Sequence, residues 1–383
     1  MRILMANYEF PPIGGGAGKA NLCLLKQYAG RDDLVIDVLT SAPKPGFSIA
    51  KFADNITIYK VGVHKKNLHF WRKVEVIEWL IKAAGHYRSL LKANDYDLAH
   101  AFFAFPTAYL CLRSAPKLPY IISLRGSDVP GYNVRLQADY KLLAPLFRRI
   151  WRSAAAVAAN SQGLAELAKK FTPDLDIGVI NNGIDTETFY PSPDRGLARP
   201  VKVLTVCRLI SRKRIDLLIE TVAGAKAIGV DIELNIAGEG NLTAKLKRLT
   251  EKVGVAACVN FLGRVPADKI PTLYRDNDIF IMSSAHEGMS NAMLEAMACG
   301  LPIVTTRCEG VEELIADNGI VVEQPSPASM AEAIKSLVDD PVRYEKMCDA
   351  SVNRAKQFTW SRVANQYLDC YRTVINNRSG ANE

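Results

Sequence analysis

Short, wholly apolar runs recur along the chain, from Ile3-Leu-Met-Ala6 to Ile279-Phe280-Ile281-Met282, and the segments between them mix polar and apolar positions at helical spacing. Runs of this length suit strands buried on both faces, and amphipathic segments between them suit helices that cover the sheet. The pattern predicts strand 2–6, a Gly-rich loop 14–18, a helix to about 29, strands 35–41 and 56–63, and a long helix 71–93. Strand 97–102, helix 106–114, strand 119–125, helix 134–152, strand 155–160, and a helix and strand up to 181 follow. A Pro/Ser/Arg/Gly-rich stretch, Tyr190 to Pro200, then breaks the alternation, and strands resume at 202–206, 231–236, 258–262, 278–282, 302–306 and 319–323. Such alternation implies parallel sheets covered on both faces. The expected fold class is therefore α/β, with two Rossmann-like domains, 1–190 and 200–357, facing across a ligand cleft. The amphipathic segment 358–383 is expected to form a helix that packs back on the first domain.

At 383 residues, 49% apolar and 23% charged, the chain is long enough for two cores and has none of the bias of a disordered protein. No apolar run reaches the roughly 18 residues of a membrane span, and the start, Met-Arg-Ile-Leu-Met-Ala, enters a strand without a signal-peptide cleavage region. A cytoplasmic location is expected. The eight cysteines are scattered without a Cys-x-x-Cys or Cys/His cluster, which favours free thiols and gives no metal site. The net charge of +8 is confined to one half: residues 1–195 hold 25 Lys and Arg against 17 Asp and Glu, whereas 196–383 are balanced at 23 each. Such asymmetry suggests that the first half meets an anionic ligand or surface. Nucleic acid is a poor candidate, because half the chain is neutral and no aromatic-basic motif is present.

The most informative stretch is residues 287–295, Glu-Gly-Met-Ser-Asn-Ala-Met-Leu-Glu, between the strand ending at Met282 and the helix stop Gly300-Leu-Pro302. Ser290 or Asn291 is a natural helix N-cap there. In open α/β sheets, ligands lie beyond the carboxyl ends of strands, where helix N-termini offer free N–H groups to anions. On an unbroken helix, residues eight apart differ by about 80° and lie about 12 Å apart along the axis. With Gly288 and Ser290 interrupting the backbone, Glu287 can instead fold over the helix start, so that Glu287 and Glu295 line one pocket.

Two other segments end strands in the same way. Arg208 and Lys213, in Val206-Cys-Arg-Leu-Ile-Ser-Arg-Lys-Arg214, suit a pyrophosphate, the Arg by its planar fork and the Lys as a point charge; a solvated charged turn would look the same. The run Gly14-Gly15-Gly16-Ala17-Gly18-Lys19 has Ile13 and Ala20 where a P-loop needs Gly and Ser/Thr, and Lys19 where a dinucleotide fingerprint needs Gly. It remains either a tight turn or a backbone cradle for phosphate. Gly238-Glu-Gly240 lets the chain turn after the next strand.

Taken together, these motifs resemble the family 4 retaining glycosyltransferases of GT-B fold. The resemblance spans nearly the whole chain and includes Ile180 to Phe189, Phe261-Leu-Gly263, the glutamate pair, and Phe358 to Tyr367. It implies a nucleotide-sugar donor, UDP- or GDP-linked, and a glycan or lipid-linked acceptor in envelope polysaccharide or glycolipid assembly, with no metal and no cofactor. By resemblance, Glu287 holds or polarises the transferred sugar, Arg208 and Lys213 neutralise the leaving diphosphate, and Glu295 accepts from the ribose. Gly288, Met289, Ser290 and Asn291 bring amides to diphosphate and sugar, Gly238 and Leu262 flank the donor, and Gly15 and Gly16 close over it. Acceptor-side candidates are His100, Arg125 and Asp128. Where many relatives have a second histidine this chain has Phe102, and where many read His-Gly-x-Asp it reads Arg125-Gly-Ser-Asp128. The alternative readings are a GT-B-like nucleotide-sugar epimerase and a non-catalytic sugar-nucleotide-binding protein.

The segment 135–152 places Leu136, Tyr140, Leu143, Phe147 and Ile150 at helical spacing, with Lys141, Arg148 and Arg152 on another face. With the basic residues of 64–73, this pattern suggests a hold on an anionic membrane surface.

Overall fold

Strand β1 (Arg2–Asn7) is buried along nearly its whole length, with parallel neighbours on both sides, β2 (Val35–Ala42) and β5 (Leu98–Phe102). The computed structural model describes residues 1–68, 70–133, 136–193 and 196–380. The chain divides into two units, Met1–Asn182 with Trp360–Glu383, and Gly183–Thr359.

The first unit adds β3 (Phe47–Ala53), β4 (Ile56–Gly62), β6 (Tyr120–Leu124), β7 (Ala156–Ala159) and β8 (Gly178–Val179), in the order β3-β4-β2-β1-β5-β6-β7-β8. All pairs are parallel except β3 with β4. Strand β3 was not expected from the sequence. It is an edge strand facing solvent, so it lacks an apolar run, although Phe47-Ser-Ile49 alternates and turn residues flank it. The helices of this unit are α1 (Gly16–Tyr28), α2 (Lys73–Ala93), α3 (Thr107–Leu112), α4 (Gln137–Leu142), α5 (Ala144–Arg152) and α6 (Gln162–Phe171). Helix α1 begins at Gly16, so Gly16–Gly18 form its first turn rather than the end of a loop. The single helix expected over 134–152 is two, because Pro145 has no N–H to give the carbonyl of residue 141; its expected start at 134–135 lies outside the described residues.

The apolar side of α4 and α5 is internal. Tyr140, Phe147 and Ile150 are buried, Tyr140 and Phe147 pack edge to face with ring centroids 5.5 Å apart, and Arg152 pairs with Asp174 at 2.9 Å. That face cannot meet a bilayer. The same holds for part of 64–73: the Lys65 ammonium is enclosed, 2.9 Å from Glu75 and 3.8 Å over the Trp71 ring. Glu75 also accepts from Arg72 Nε at 2.7 Å, from Arg72 N at 3.1 Å and from Lys66 N at 3.2 Å. Burial works to raise the Glu75 carboxyl, but these donors bring it down to about 2. The carboxylate is thus favoured in the folded state, and its contribution is complete above the ordinary carboxylate range and lost as pH falls toward 2. Glu75→Ala should cost about 3–5 kcal/mol in chemical denaturation near neutral pH, because Lys65 stays buried without its counter-charge. The difference from the wild type should shrink below about pH 3, where the wild-type carboxyl is itself being protonated.

The last helix, α14 (Trp360–Gly380), belongs to the first unit, where Tyr28 Oη donates to Ala364 O at 3.0 Å and Tyr367 and Tyr371 are buried; residues 381–383 lie outside the described residues.

The second unit holds β9 (Val201–Val206), β10 (Ile232–Ala237), β11 (Val259–Gly263), β12 (Ile279–Met282), β13 (Ile303–Thr306) and β14 (Gly319–Val322). All are parallel, in the order β11-β10-β9-β12-β13-β14. Helices α7 (Ile215–Ala227), α8 (Thr243–Lys252), α9 (Ile270–Arg275), α10 (Asn291–Ala298), α11 (Val311–Leu314), α12 (Pro327–Val338) and α13 (Pro341–Ala355) alternate with and follow them. The unit begins at Gly183 rather than after residue 190, because Ile184 and Phe189 bury against Phe280 and Met282, and Ile184 N bonds Phe358 O at 2.6 Å. Of the expected linker 190–200, residues 194 and 195 lie outside the described residues.

The strand order sets the place for chemistry. From β9 the chain steps outward to β10 and β11, then returns to lay β12 on the other side of β9. At this switch point the two adjacent strand ends send their loops to opposite sides and leave a crevice between them.

Candidate active site

The loops that leave β9 and β12 at the switch point carry Arg208 to Lys213 and Ser283 to Ser290, and backbone geometry joins them. After β9 the chain makes a tight turn at Ser211–Lys213, and Arg214 then takes a left-handed conformation (φ 47°, ψ 46°) before α7 begins. Ser283 Oγ, buried past the end of β12, donates to the carbonyls of Lys213 and Arg214 at 2.8 and 2.9 Å, and Ala285 N donates to Arg212 O at 2.8 Å. These bonds hold the Lys213 side chain against the Glu287 carboxylate in a charge-assisted hydrogen bond. Both side chains are largely buried, 10% and 18% exposed, so the pair is strong and each partner depends on the other.

Burial alone would raise the Glu287 carboxyl, but the charges of Lys213, Arg212 and Arg208 and the Lys213 hydrogen bond hold it below the usual carboxylate range. The site therefore contains an ionised carboxylate under three cations. The sequence singled out Arg208, Lys213 and Glu287; Arg212 was missed, although it adjoins Lys213 in the same turn.

A second missed residue, Glu309, braces the loop from the β13 side. Its carboxylate meets His286 Nδ1 at 2.7 Å with one oxygen and accepts from Glu287 N at 2.9 Å with the other. Gly310 N donates to Glu287 O at 3.0 Å. Glu309 follows a strand end just as Arg208 and Glu287 do, and that position was the available signal.

Two glycines are required by close approach. A Cβ on Gly238 would lie 1.9 Å from Cys207 O, and the residue has φ +133°. A Cβ on Gly310 would lie 1.5 Å from Gly288 O. Gly238 thus packs the β10 turn against the β9 loop, and Gly238 N bonds Gly263 O at 2.7 Å, beside the half-exposed Leu262. Past Glu287, Gly288 and Met289 are buried, and Ser290 caps α10 by accepting from Met293 N at 3.3 Å, with Asn291 as the first helical residue. Glu295, a turn into α10, is buried and accepts from Tyr274 Oη at 3.1 Å. Burial first, then Glu295, pushes the Tyr274 hydroxyl well above its ordinary range, so it stays a donor. The two glutamates therefore differ in kind: Glu287 faces cations in a loop, and Glu295 is held by a tyrosine on a helix.

The remaining candidates lie in the first unit. His100, an acceptor-side candidate, is fully buried in β5, its ring nitrogens are 2.7 Å from Tyr371 Oη and Ser123 Oγ, and burial with Arg125 nearby keeps it neutral. Asp128 is also inward, accepting from Ala104 N at 2.7 Å and Arg125 N at 2.9 Å, a staple of the loops after β5 and β6. Arg125 is half-buried, donating to Asn182 Oδ1 and Tyr367 Oη over the Phe102 ring. At the Gly-rich turn, Gly15 N already donates to Glu9 Oε2 at 3.2 Å, and Gly16 opens α1. Among the described residues no three His, Cys, Asp or Glu side chains gather as a metal site.

Two Rossmann-like units, each built on a largely parallel sheet, are the architecture of the GT-B glycosyltransferases. Sucrose-phosphate synthase from Thermosynechococcus elongatus has the same fold, with a TM-score of 0.82 at 19% identity over 98% of this chain and 99% of that one. Anabaena HepE, solved with UDP-glucose, matches with a TM-score of 0.71 at 20% identity over 97% and 100%. Residues 14–188 match the glycosyltransferase family 4 model and residues 195–358 the glycosyl transferases group 1 model. A GDP-mannose-dependent α-(1-6)-phosphatidylinositol monomannoside mannosyltransferase of Mycolicibacterium smegmatis is 32% identical over 69% of this chain and 73% of its own length. The chain belongs to this family, and it is a glycosyltransferase of the family 4, group 1 type.

Proposed function

We propose that the protein transfers a hexose from a UDP- or GDP-sugar to a glycan or lipid-linked acceptor, with retention of anomeric configuration and without a metal, in envelope polysaccharide or glycolipid assembly. The observation that carries this reading is the Glu287 carboxylate held under Lys213, Arg212 and Arg208 at the switch point. When a sugar leaves a diphosphate, negative charge grows on the departing oxygen. Fixed cations and the amides that lead into α10 are the groups that stabilise such charge. Glu287 orders the cations before substrate arrives and then holds the sugar, while Glu295, already set to accept, takes the ribose hydroxyls. Gly288 to Asn291 line the diphosphate, Gly238 and Leu262 flank the nucleoside, and Gly15 and Gly16 are the first unit's candidates for donor contact. Same-face attack needs no protein nucleophile, which distinguishes this pair from the two carboxylates of a retaining glycosidase. A lipid-linked acceptor is supported by the phosphatidylinositol mannoside named for the Mycolicibacterium relative and by the basic first unit.

Thermal unfolding with UDP, GDP, ADP and NAD tests the donor. At about 100 times its dissociation constant a ligand stabilises the native state by about 2.7 kcal/mol. A shift with UDP or GDP and none with NAD is expected. A shift with NAD alone, or with none of the four, would remove the donor assignment.

A further inference from the structure

Helix α2 is apolar on two faces. One face, with Trp79, Ala83, Tyr87 and Leu90, is buried in the first unit and accounts for the helix's place in the core. The other face points to solvent. Val74, Ile77 and Ile81, spaced as successive turns, are 62%, 52% and 70% exposed. A single exposed aliphatic side chain is ordinary, but a row along a helix is not. The row continues beyond the helix, with Phe70 45% exposed before it and Leu142 81% exposed on α4. Lys73 Nζ reaches Asp139 at 2.8 Å, one turn from Leu142, so the two helices meet beside the row.

The surrounding charge points to what covers it. The first unit holds 27 Lys and Arg against 16 Asp and Glu, whereas the second holds 21 against 24. On the outer face of α2 the aliphatic row gives way to the exposed Arg88 and Lys92, and Lys66 and Lys141 are exposed near its other end. The acids beside the row are matched: Glu78 is held by Lys82 and His64, and Asp139 by Lys73. An aliphatic row bordered by exposed cations is complementary to a bilayer with anionic headgroups, aliphatic side chains entering the acyl boundary and cations remaining at the phosphates.

We infer that the outer face of α2, extended by Phe70 and Leu142, docks this enzyme on an anionic membrane. This inference rests on the acceptor being membrane-borne, and it moves the contact from the face of α4 and α5, which is internal, to one whose aliphatic side chains are exposed. It also places the bilayer beside the Gly-rich turn, since Leu68, just before α2, accepts a hydrogen bond from Gly14 N at 2.7 Å.

Flotation with vesicles of phosphatidylcholine alone, or with added phosphatidylglycerol, tests it at low salt. The wild type should float with the anionic vesicles only. The combined variant Val74→Ser, Ile77→Ser, Ile81→Ser should bind them about a hundredfold more weakly. Its circular dichroism and its thermal shift with a nucleoside diphosphate should match those of the wild type, which separates lost docking from lost folding. Arg88→Glu with Lys92→Glu should erase the preference for anionic over neutral vesicles. Equal flotation of the serine variant and wild type would overturn the assignment. So would a wild type that sediments as a dimer and becomes monomeric on serine substitution, because a second copy would then cover the row. A wild type that ignores vesicles yet is stabilised by UDP or GDP would overturn the docking and leave the transferase reading standing.

Discussion

Glu287→Gln should lower the rate of sugar transfer by about 10²–10³-fold, the range found when one preorganised electrostatic group is removed from an active site. Nucleoside diphosphate binding should persist or tighten. The carboxylate and the incoming diphosphate compete for the same cations, Lys213, Arg212 and Arg208, and glutamine withdraws the internal competitor. Loss of rate with retained nucleotide affinity separates a group that acts on the sugar from one that only shapes the pocket. The pH dependence follows from the same charges. The folded-state carboxyl is held below its ordinary range, so the Lys213 pair stabilises the fold fully above that range and is lost as pH falls through the lowered value. Protonation of Glu287 should therefore place no limb in the wild-type rate profile near neutrality. A glutamine variant that turns over within about twofold of wild type would remove Glu287 from the chemistry.

Where the sequence was legible, a local signal and a global one agreed. Among the described residues, the sequence pattern located thirteen of the fourteen strands, since a strand buried on both faces is apolar at most positions. Only β3 escaped, and it alone is antiparallel, exposed and at an edge. The site was legible as far as strand ends could be counted: Arg208, Lys213 and Glu287 each follow one, and the sheet order brings them together. Arg212 and Glu309 stand in equally telling positions, but their roles depend on side-chain directions that no spacing rule supplies. His100 shows the converse. A polar residue at the end of a strand suggests a cleft, yet α14 returns over that strand, and Tyr371 takes one ring nitrogen while Ser123, itself bonded to Tyr367, takes the other. The contact joins residues 271 apart in the chain, and no local pattern at residue 100 could announce it. The two faces of α2 were hidden for a related reason, because periodicity reports that a helix is apolar on more than one side without saying which side the sheet takes.

Gly310→Ala should disable the enzyme as thoroughly as removing the carboxylate, though it adds only an uncharged methyl group. Gly310 has φ −105° and ψ 11°, a conformation open to alanine, so the substitution carries no backbone strain of its own. The cost is a collision. The new Cβ would sit 1.5 Å from Gly288 O, 2.6 Å from Gly288 C and 3.0 Å from Met289 Cα, all backbone atoms that no rotamer change can move aside. Either the loop after β13 or the loop carrying Glu287 must shift, and the bonds from Gly310 N to Glu287 O and from Glu287 N to Glu309 go with it. Forced overpacking of this kind costs about 1–3 kcal/mol of stability. Misplacement of a reacting group by about 1 Å can cost about 10²-fold in rate. Transfer should therefore fall by about a hundredfold or more while most of the stability survives, a ratio that loss of fold alone would not give. Gly85→Ala, on the open face of α2 where a Cβ meets nothing within 4 Å, is the matched control and should leave stability equal or higher by up to about 1 kcal/mol. Wild-type turnover in Gly310→Ala would mean that the bracing of residues 286–290 by the loop after β13 does not position the Glu287 carboxylate for chemistry.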